Sequence, residues 1–193
     1  LEQPIQNAGV VKNEGWEVNL DYNLVSGDFN HKFSFNLSDS RNEVVDIRGR
    51  EFISGFDVQT ILREGYPINS YYALKTDGFF NSEEEIANSA TPIFAASVKP
   101  GDIKYVDRNN DGQIDYENDS FVLGNSFPRY TYGATYAADW KGFDFSIFVQ
   151  GVGKRQQWLR GELVEAFHNN NEGPVFQRHL DRWTPQNLDA TYP

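Results

Sequence analysis

Two stretches of this chain alternate apolar and polar residues with a period of two, and that pattern excludes most folds before anything else is considered. In the first, Trp16, Val18, Leu20, Tyr22 and Leu24 fall on one side and Glu17, Asn19, Asp21 and Asn23 on the other. After the turn residues Ser26-Gly27-Asp28, the same alternation runs through Phe29, His31, Phe33, Phe35 and Leu37. A period of two places successive side chains on opposite faces of an extended strand, so the stretch predicts a β-hairpin. In the second, Tyr130, Tyr132, Ala134, Tyr136, Ala138 and Trp140 lead to a Lys141-Gly142 turn, and Phe143, Phe145, Ile147 and Val149 return. Phe148 is the one large apolar residue on the polar side. The expected fold class is all-β and antiparallel.

Each strand is long enough, at about nine residues or more, to cross a bilayer, and each carries aromatic residues near its ends. A half-buried sheet in a soluble domain alternates in the same way. Loop lengths separate the two readings. Within each hairpin the link is two or three residues, whereas roughly eighty residues join the hairpins, a length that compact domains seldom carry without structure of its own. Short turns on one side and long loops on the other are the habit of outer-membrane barrels. The expectation is therefore a hairpin at 16–48, a long extracellular loop at 49–128, a hairpin at 129–151 and the start of a further outer loop at 152–193. Four strands are too few to close a barrel, so this reading requires further wall elsewhere.

Within the long loop, Ser82-Glu83-Glu84-Glu85 predicts a capping box opening a short helix through Ile86 and Ala87. Phe56 to Leu62 is read as another helical turn or two, and Gln157 to Phe167 and Pro174 to Trp183 as helix-compatible, with Pro185 as a stop. The longest apolar runs, such as Ile93-Phe94-Ala95-Ala96, are far short of the roughly twenty residues of a membrane helix. No charged and apolar leader precedes Leu1, so a signal peptide is expected upstream.

Composition narrows the chemistry. A formal net charge of -11 with no basic run excludes a nucleic-acid footprint. The absence of cysteine removes disulfides, thiolate metal sites and thiol nucleophiles. His31, His168 and His179 stand apart, and Gly151-Val152-Gly153-Lys154 lacks the leading Gly and trailing Ser/Thr of a phosphate loop. No nucleophile elbow or paired-acid constellation is present, and an enzyme is not expected.

The sharpest local motif runs from Asp107 to Asp119. Asp107, Asn109, Asp111 and Asp115 fall at positions 1, 3, 5 and 9 of a calcium loop, Gly112 sits at the bend, and Gln113 offers its carbonyl at position 7. Alternate side chains of a tight loop converge, and carboxylates held together repel unless a hard cation neutralises them. Position 12, normally Glu, is Asn118, with Asp119 next. The expected metal is Ca²⁺, with Asp107, Asn109, Asp111, Gln113, Asp115 and Asp119 as ligands; an Asp/Asn-rich turn without metal is the other reading of the run. Tyr66, Tyr71, Tyr72, Phe79 and Phe80 in the long segment are candidate substrate contacts.

Several runs together resemble a known family. They are Gln6-Asn7-Ala8-Gly9 with Asn13-Glu14-Gly15-Trp16-Glu17, Gly65-Tyr66-Pro67 with Tyr71-Tyr72-Ala73, and Pro100-Gly101-Asp102-Ile103-Lys104-Tyr105-Val106-Asp107 continuing to Asp115. Leu123-Gly124-Asn125, Pro128-Arg129-Tyr130-Thr131-Tyr132-Gly133, Lys141-Gly142-Phe143-Asp144-Phe145-Ser146, Gln150-Gly151 and the closing Trp183-Thr184-Pro185 and Ala190-Thr191-Tyr192-Pro193 extend the likeness. In this order they resemble the C-terminal barrel segment of SusC/RagA-type TonB-dependent transporters. The resemblance implies a bacterial outer-membrane importer of oligosaccharides or peptides. It also implies a SusD-like surface lipoprotein as partner, energy from the TonB complex, and contact with outer-membrane lipid. The alternative is a soluble calcium-stabilised β-sandwich that binds glycans.

Overall fold

A computed structural model describes residues 9–168, 170 and 172–193; of the runs quoted above, Gln6 to Ala8 lie outside the described residues. The elements in chain order begin with β1 (Val10–Ser26) and β2 (Phe29–Asp46). Next come β3 (Phe52–Ser54), β4 (Thr60–Leu62), β5 (Ser70–Leu74), β6 (Thr76–Phe79) and the helix α1 (Glu83–Ala87). They are followed by β7 (Thr91–Pro92), β8 (Ile103–Tyr105), β9 (Gln113–Ile114), β10 (Ser120–Gly124), β11 (Arg129–Trp140) and β12 (Phe143–Lys154). A 3-10 turn, Gln177–Leu180, follows. The chain divides into two units, the first comprising residues up to Tyr71 with Gly124–Gln157, the second Tyr72–Leu123 with Trp158–Pro193.

In the first unit the alternating stretches form a four-stranded antiparallel sheet in the order β1-β2-β11-β12. Register follows the hydrophobic pattern, because a slip of one residue would turn every side chain to the wrong face. Leu20 opposes Phe35, which opposes Ala134, which opposes Val149; the next row is Tyr22, Phe33, Tyr136 and Ile147. Aromatic rings line up along these rows, Phe33 against Tyr136 at 5.0 Å and Phe29 against Trp140 at 5.4 Å between centroids. On the other face Gly133 leaves space for Asn36 and Phe148, which a Cβ would meet at 2.9 and 3.3 Å. The turn between β11 and β12 holds Lys141 at φ 47° and Gly142 at φ 87°, the left-handed pair that a tight hairpin requires. Lys141 is kept there by an ion pair to Asp28 at 3.0 Å on the neighbouring turn.

The apolar face of this sheet is uncovered. His31, Leu37, Tyr136 and Ala138 are half-buried among their neighbours on the face, while Phe35 is 38%, Leu20 and Tyr22 60% and Phe143 73% exposed, so the first unit supplies no layer over it. Its buried side chains lie elsewhere: Val44 and Ile61 are enclosed where the end of β2 meets the following segment. There Val44 exchanges backbone hydrogen bonds with Tyr66 and Gly65, each 2.9 Å, and the Glu64 carboxylate accepts from the Ile47 N–H at 2.8 Å.

This arrangement corrects the transmembrane barrel. The four long strands make an open sheet with β1 and β12 as its edges, and no ring of strands closes among the described residues. The expectations of a barrel-wall fragment, a barrel-wall function and outer-membrane placement are corrected to this open four-stranded sheet. Among the described residues no helix is long and apolar enough to cross a membrane, which says nothing of strands. The span 49–128 is not a loop punctuated by helices either. Its strands build a second four-stranded sheet in the order β10-β5-β4-β3 and two-stranded ribbons β6-β8 and β7-β9.

Three helix expectations are also corrected. Phe56 to Leu62 bends and then enters β4, because Gly55 at φ 91° breaks the helical path and the β-branched Thr60 and Ile61 pair with Ser54 and Ile53. Gln157 to Phe167 forms no helix: it is irregular to Arg160 and then turns after Gly161, φ 95°. Pro174 to Trp183 keeps only the 3-10 turn, since Asp181 leaves helical geometry and its carboxylate accepts from the Thr191 hydroxyl at 2.7 Å and the Asn187 amide at 3.0 Å.

The second unit has its own core of Tyr72, Phe80 and Ile114. Phe80 is fixed by backbone bonds to Asp102 and Gly101, at 2.9 and 2.7 Å. Gly101, at φ 98°, lets the Trp183 ring press on its backbone, where a Cβ would come within 2.7 Å. The helix α1 begins as its sequence predicts: the Ser82 hydroxyl accepts from the Glu85 N–H at 3.1 Å. The Glu85 carboxylate reaches one residue beyond the cap, accepting from the Asn81 N–H at 2.9 Å, and takes Lys104 at 2.9 Å with its other oxygen.

Candidate functional site

The Asp-rich loop lies within the second unit, between β8 and β10, and its backbone is shaped by its own side chains. The Asp107 carboxylate accepts from the N–H groups of Asn110 at 2.6 Å and Gly112 at 2.9 Å. Asp111 accepts from the Gln113 N–H at 2.8 Å and from the Asn109 amide at 2.9 Å, and Asn109 accepts from the Asp111 N–H at 3.1 Å. Asn110 at φ 60° and Gly112 at φ 81° turn the chain back on itself. β9 then leaves the loop beside β7, with Ile114 fully buried as its anchor.

Asp115 and Asp119 are engaged otherwise. Asp115 accepts from the Asn118 N–H at 2.7 Å and side-chain amide at 2.9 Å, and the side-chain amide first, then the backbone bond, holds its carboxyl below the usual range. Asp119 is fully buried, and its two oxygens accept from the N–H groups of Arg108 at 2.9 Å and Asp115 at 2.8 Å. It ties the two ends of the loop together, which explains why an Asp stands one place beyond the usual position of the bidentate Glu. The oxygen donors left for a hard cation are Asp107, Asn109, Asp111 and the Gln113 carbonyl. A carboxylate carries about four lone-pair positions, so the backbone bonds to Asp107 and Asp111 leave acceptor capacity, and the donor set suits Ca²⁺. Among the described residues no group of three or more His, Cys, Asp or Glu side chains is gathered at metal-holding distance.

The five aromatic candidates fare unequally. Phe80 is fully buried and Tyr72 is 4% exposed, so both are core side chains with no face to offer. Tyr71 and Phe79 are half-buried, and Tyr66 is exposed. Tyr66 and Tyr71 belong to the first unit and the other three to the second.

A more coherent aromatic group sits beside the Asp-rich loop. Phe94 stacks on Tyr116 at 4.7 Å between centroids and meets Tyr105 edge-on at 6.3 Å. Phe94 is 45% and Tyr116 56% exposed, so the stacked pair keeps ring faces in water. Burial, and to a smaller extent the neighbouring Tyr116, pushes the Tyr105 hydroxyl up, which keeps it a neutral donor. The Ile93 N–H to Ile114 carbonyl bond, 3.1 Å, brings the two segments together. No local pattern in the sequence signals the group, because that pairing joins residues 21 positions apart. His179 likewise proved structural: it is buried between Phe176 and Tyr192, and its Nδ1 accepts from the Phe176 N–H at 3.2 Å.

No family model matches the chain. Among curated proteins it is 32% identical, over 98% of its length, to TonB-dependent receptor P26 of Formosa agariphila, of which it covers 19%. It is 25% identical, over 77% of its length, to TonB-dependent receptor SusC of Bacteroides thetaiotaomicron, of which it covers 14%. The chain resembles TonB-dependent receptors. It spans about a fifth or less of the length of these relatives. Its fold recurs within the RagAB peptide importer in its open-open state, with a TM-score of 0.71 at 20% identity, covering 97% of this chain and 20% of that one. The RagAB peptide transporter gives a TM-score of 0.64 at 21% identity over the same shares. Both relatives are named as receptors.

Proposed function

We propose that this chain is a non-catalytic, calcium-stabilised β-module that binds oligosaccharide. The observation that carries the reading is the exposed Phe94–Tyr116 stack beside a loop of oxygen donors within one unit. Sugar rings present C–H faces that pack on aromatic rings, while loop oxygens and amides take the hydroxyls. A Ca²⁺ held by Asp107, Asn109, Asp111 and the Gln113 carbonyl would offset the repulsion between the loop carboxylates and stiffen the platform. Its partners on this reading are a SusD-like surface lipoprotein and the TonB complex on which its relatives depend.

Titration calorimetry with neutral hexasaccharides, with and without a chelator, tests the proposal. Phe94→Ala with Tyr116→Ala weakens binding about tenfold or more, a loss of about 1.4 kcal/mol, and Asp107→Ala with Asp111→Ala removes the calcium dependence. Sugar binding that ignores both aromatic substitutions sinks the reading. Preferential binding of a neutral peptide would assign the platform to the ligand class named for the RagAB neighbours instead.

A further inference from the structure

We propose that the first unit holds a second binding site, a cationic groove that takes the carboxylate groups of an acidic oligosaccharide. A cavity of about 260 Å³ opens there where the β11 and β12 ends meet the segments around Asn42 and Gly124. Four cations line it, Arg41, Arg129, Lys154 and Arg155, in a chain whose net charge is -11. Two of them are matched: Arg129 pairs with Asp39, and Arg41 with Glu14 at 2.8 Å. Lys154 and Arg155 have no ion-pair partner among the described residues, which leaves two of the four positive charges uncompensated.

The register gathers the cations at one end of the ladder. Lys154 stands directly opposite Arg129 on the β11–β12 ladder, where Asp39 already holds the Arg129 guanidinium. An incoming carboxylate finds Lys154 and Arg155 free of ion pairs among the described residues and forms charge-assisted hydrogen bonds with them, which are stronger than neutral ones. The groove also offers neutral donors suited to sugar hydroxyls. Asn42 turns its carbonyl oxygen to the Ile68 N–H at 2.8 Å, and Asn125 turns its own to the Phe127 N–H at 2.9 Å, so the end left on each amide is a donor. Phe127, 37% exposed, adds a ring for stacking. Carboxylate, hydroxyl and ring face together describe a uronic-acid oligosaccharide, with the cations for its carboxylates and the amide N–H groups for its hydroxyls.

The groove belongs to the first unit and the Asp-rich loop to the second, and the two are tested separately. Trigalacturonate, its neutral methyl ester and triaspartate are titrated against the whole chain in chelator, at low and at physiological salt. The acid binds about tenfold or more tightly than its ester and than triaspartate, and its affinity falls with salt. Lys154→Gln with Arg155→Gln abolishes that advantage, and Arg155→Glu inverts it; both positions are exposed, and circular dichroism checks that the variants fold. Equal affinity for acid and ester, or an advantage that survives both variants, overturns the proposal. Preference for triaspartate overturns the sugar assignment. Binding of neutral hexasaccharide under the same conditions reports on the aromatic platform alone, so the two readings fail independently.

Discussion

Two aspartates of the first unit titrate in opposite senses, and the cause of each is a single neighbour. Asp39 faces the Arg129 guanidinium, whose hydrogen bonds and charge hold its carboxyl below the ordinary range. The stability this gives is present above the unfolded pKa and is lost as pH falls through the depressed folded value. Asp144 faces Asp139 across the β11–β12 turn, and the shared proton and like charge push its carboxyl up. That pair destabilises the fold when both groups are ionised, and the penalty is relieved as pH falls through the raised value. Asp39→Asn therefore lowers the unfolding midpoint at neutral pH, with the deficit closing in acid. Asp144→Asn raises the midpoint at neutral pH, again with a difference that closes in acid. Thermal melts between pH 7 and pH 3 read both, and a change of the same sign in the two variants contradicts the assignment.

At the scale of elements, legibility followed the length of the repeating pattern. The long strands were readable because apolar positions two residues apart recur over whole hairpins, and the pairing of Leu20 with Phe35 and of Ala134 with Val149 follows from it. The start of α1 was readable because Ser82 and Glu85 carry a local hydrogen-bond code. Ser82→Ala costs about 0.5–2 kcal/mol, measurable by denaturant unfolding, because one helix N–H loses its partner; no change would mean that water replaces the cap without loss. The two- to five-residue strands between Phe52 and Gly124 were not readable. Their partners lie far away in sequence, and a run such as Thr60–Leu62 becomes a strand only when β3 and β5 flank it. In the Asp-rich loop the tight turn at Gly112 was legible because Asp107 and Asp111 accept from nearby backbone N–H groups, whereas the burial of Asp119 as a tie between the loop ends was not.

For the whole molecule, the uncovered apolar face of the β1-β2-β11-β12 sheet dominates. Contiguous exposed apolar surface is unstable in water beyond a few hundred Å², and open edge strands invite further pairing. The 193 residues expressed alone therefore associate, and Leu20→Glu with Ile147→Glu, both on that face, reduces the association seen by sedimentation; a monomeric parent chain would contradict this. The sequence by itself determined the hairpins, their register, the helix cap and the turn at Gly112, because each is written in neighbours or in an uninterrupted period. Whether the strands close, which tyrosines are core, how Phe94 meets Tyr116 and how four cations from separate segments share one groove were decided only by the tertiary structure. Those features depend on residues tens of positions apart arriving at the same point, and chain topology, not local pattern, controls that arrival.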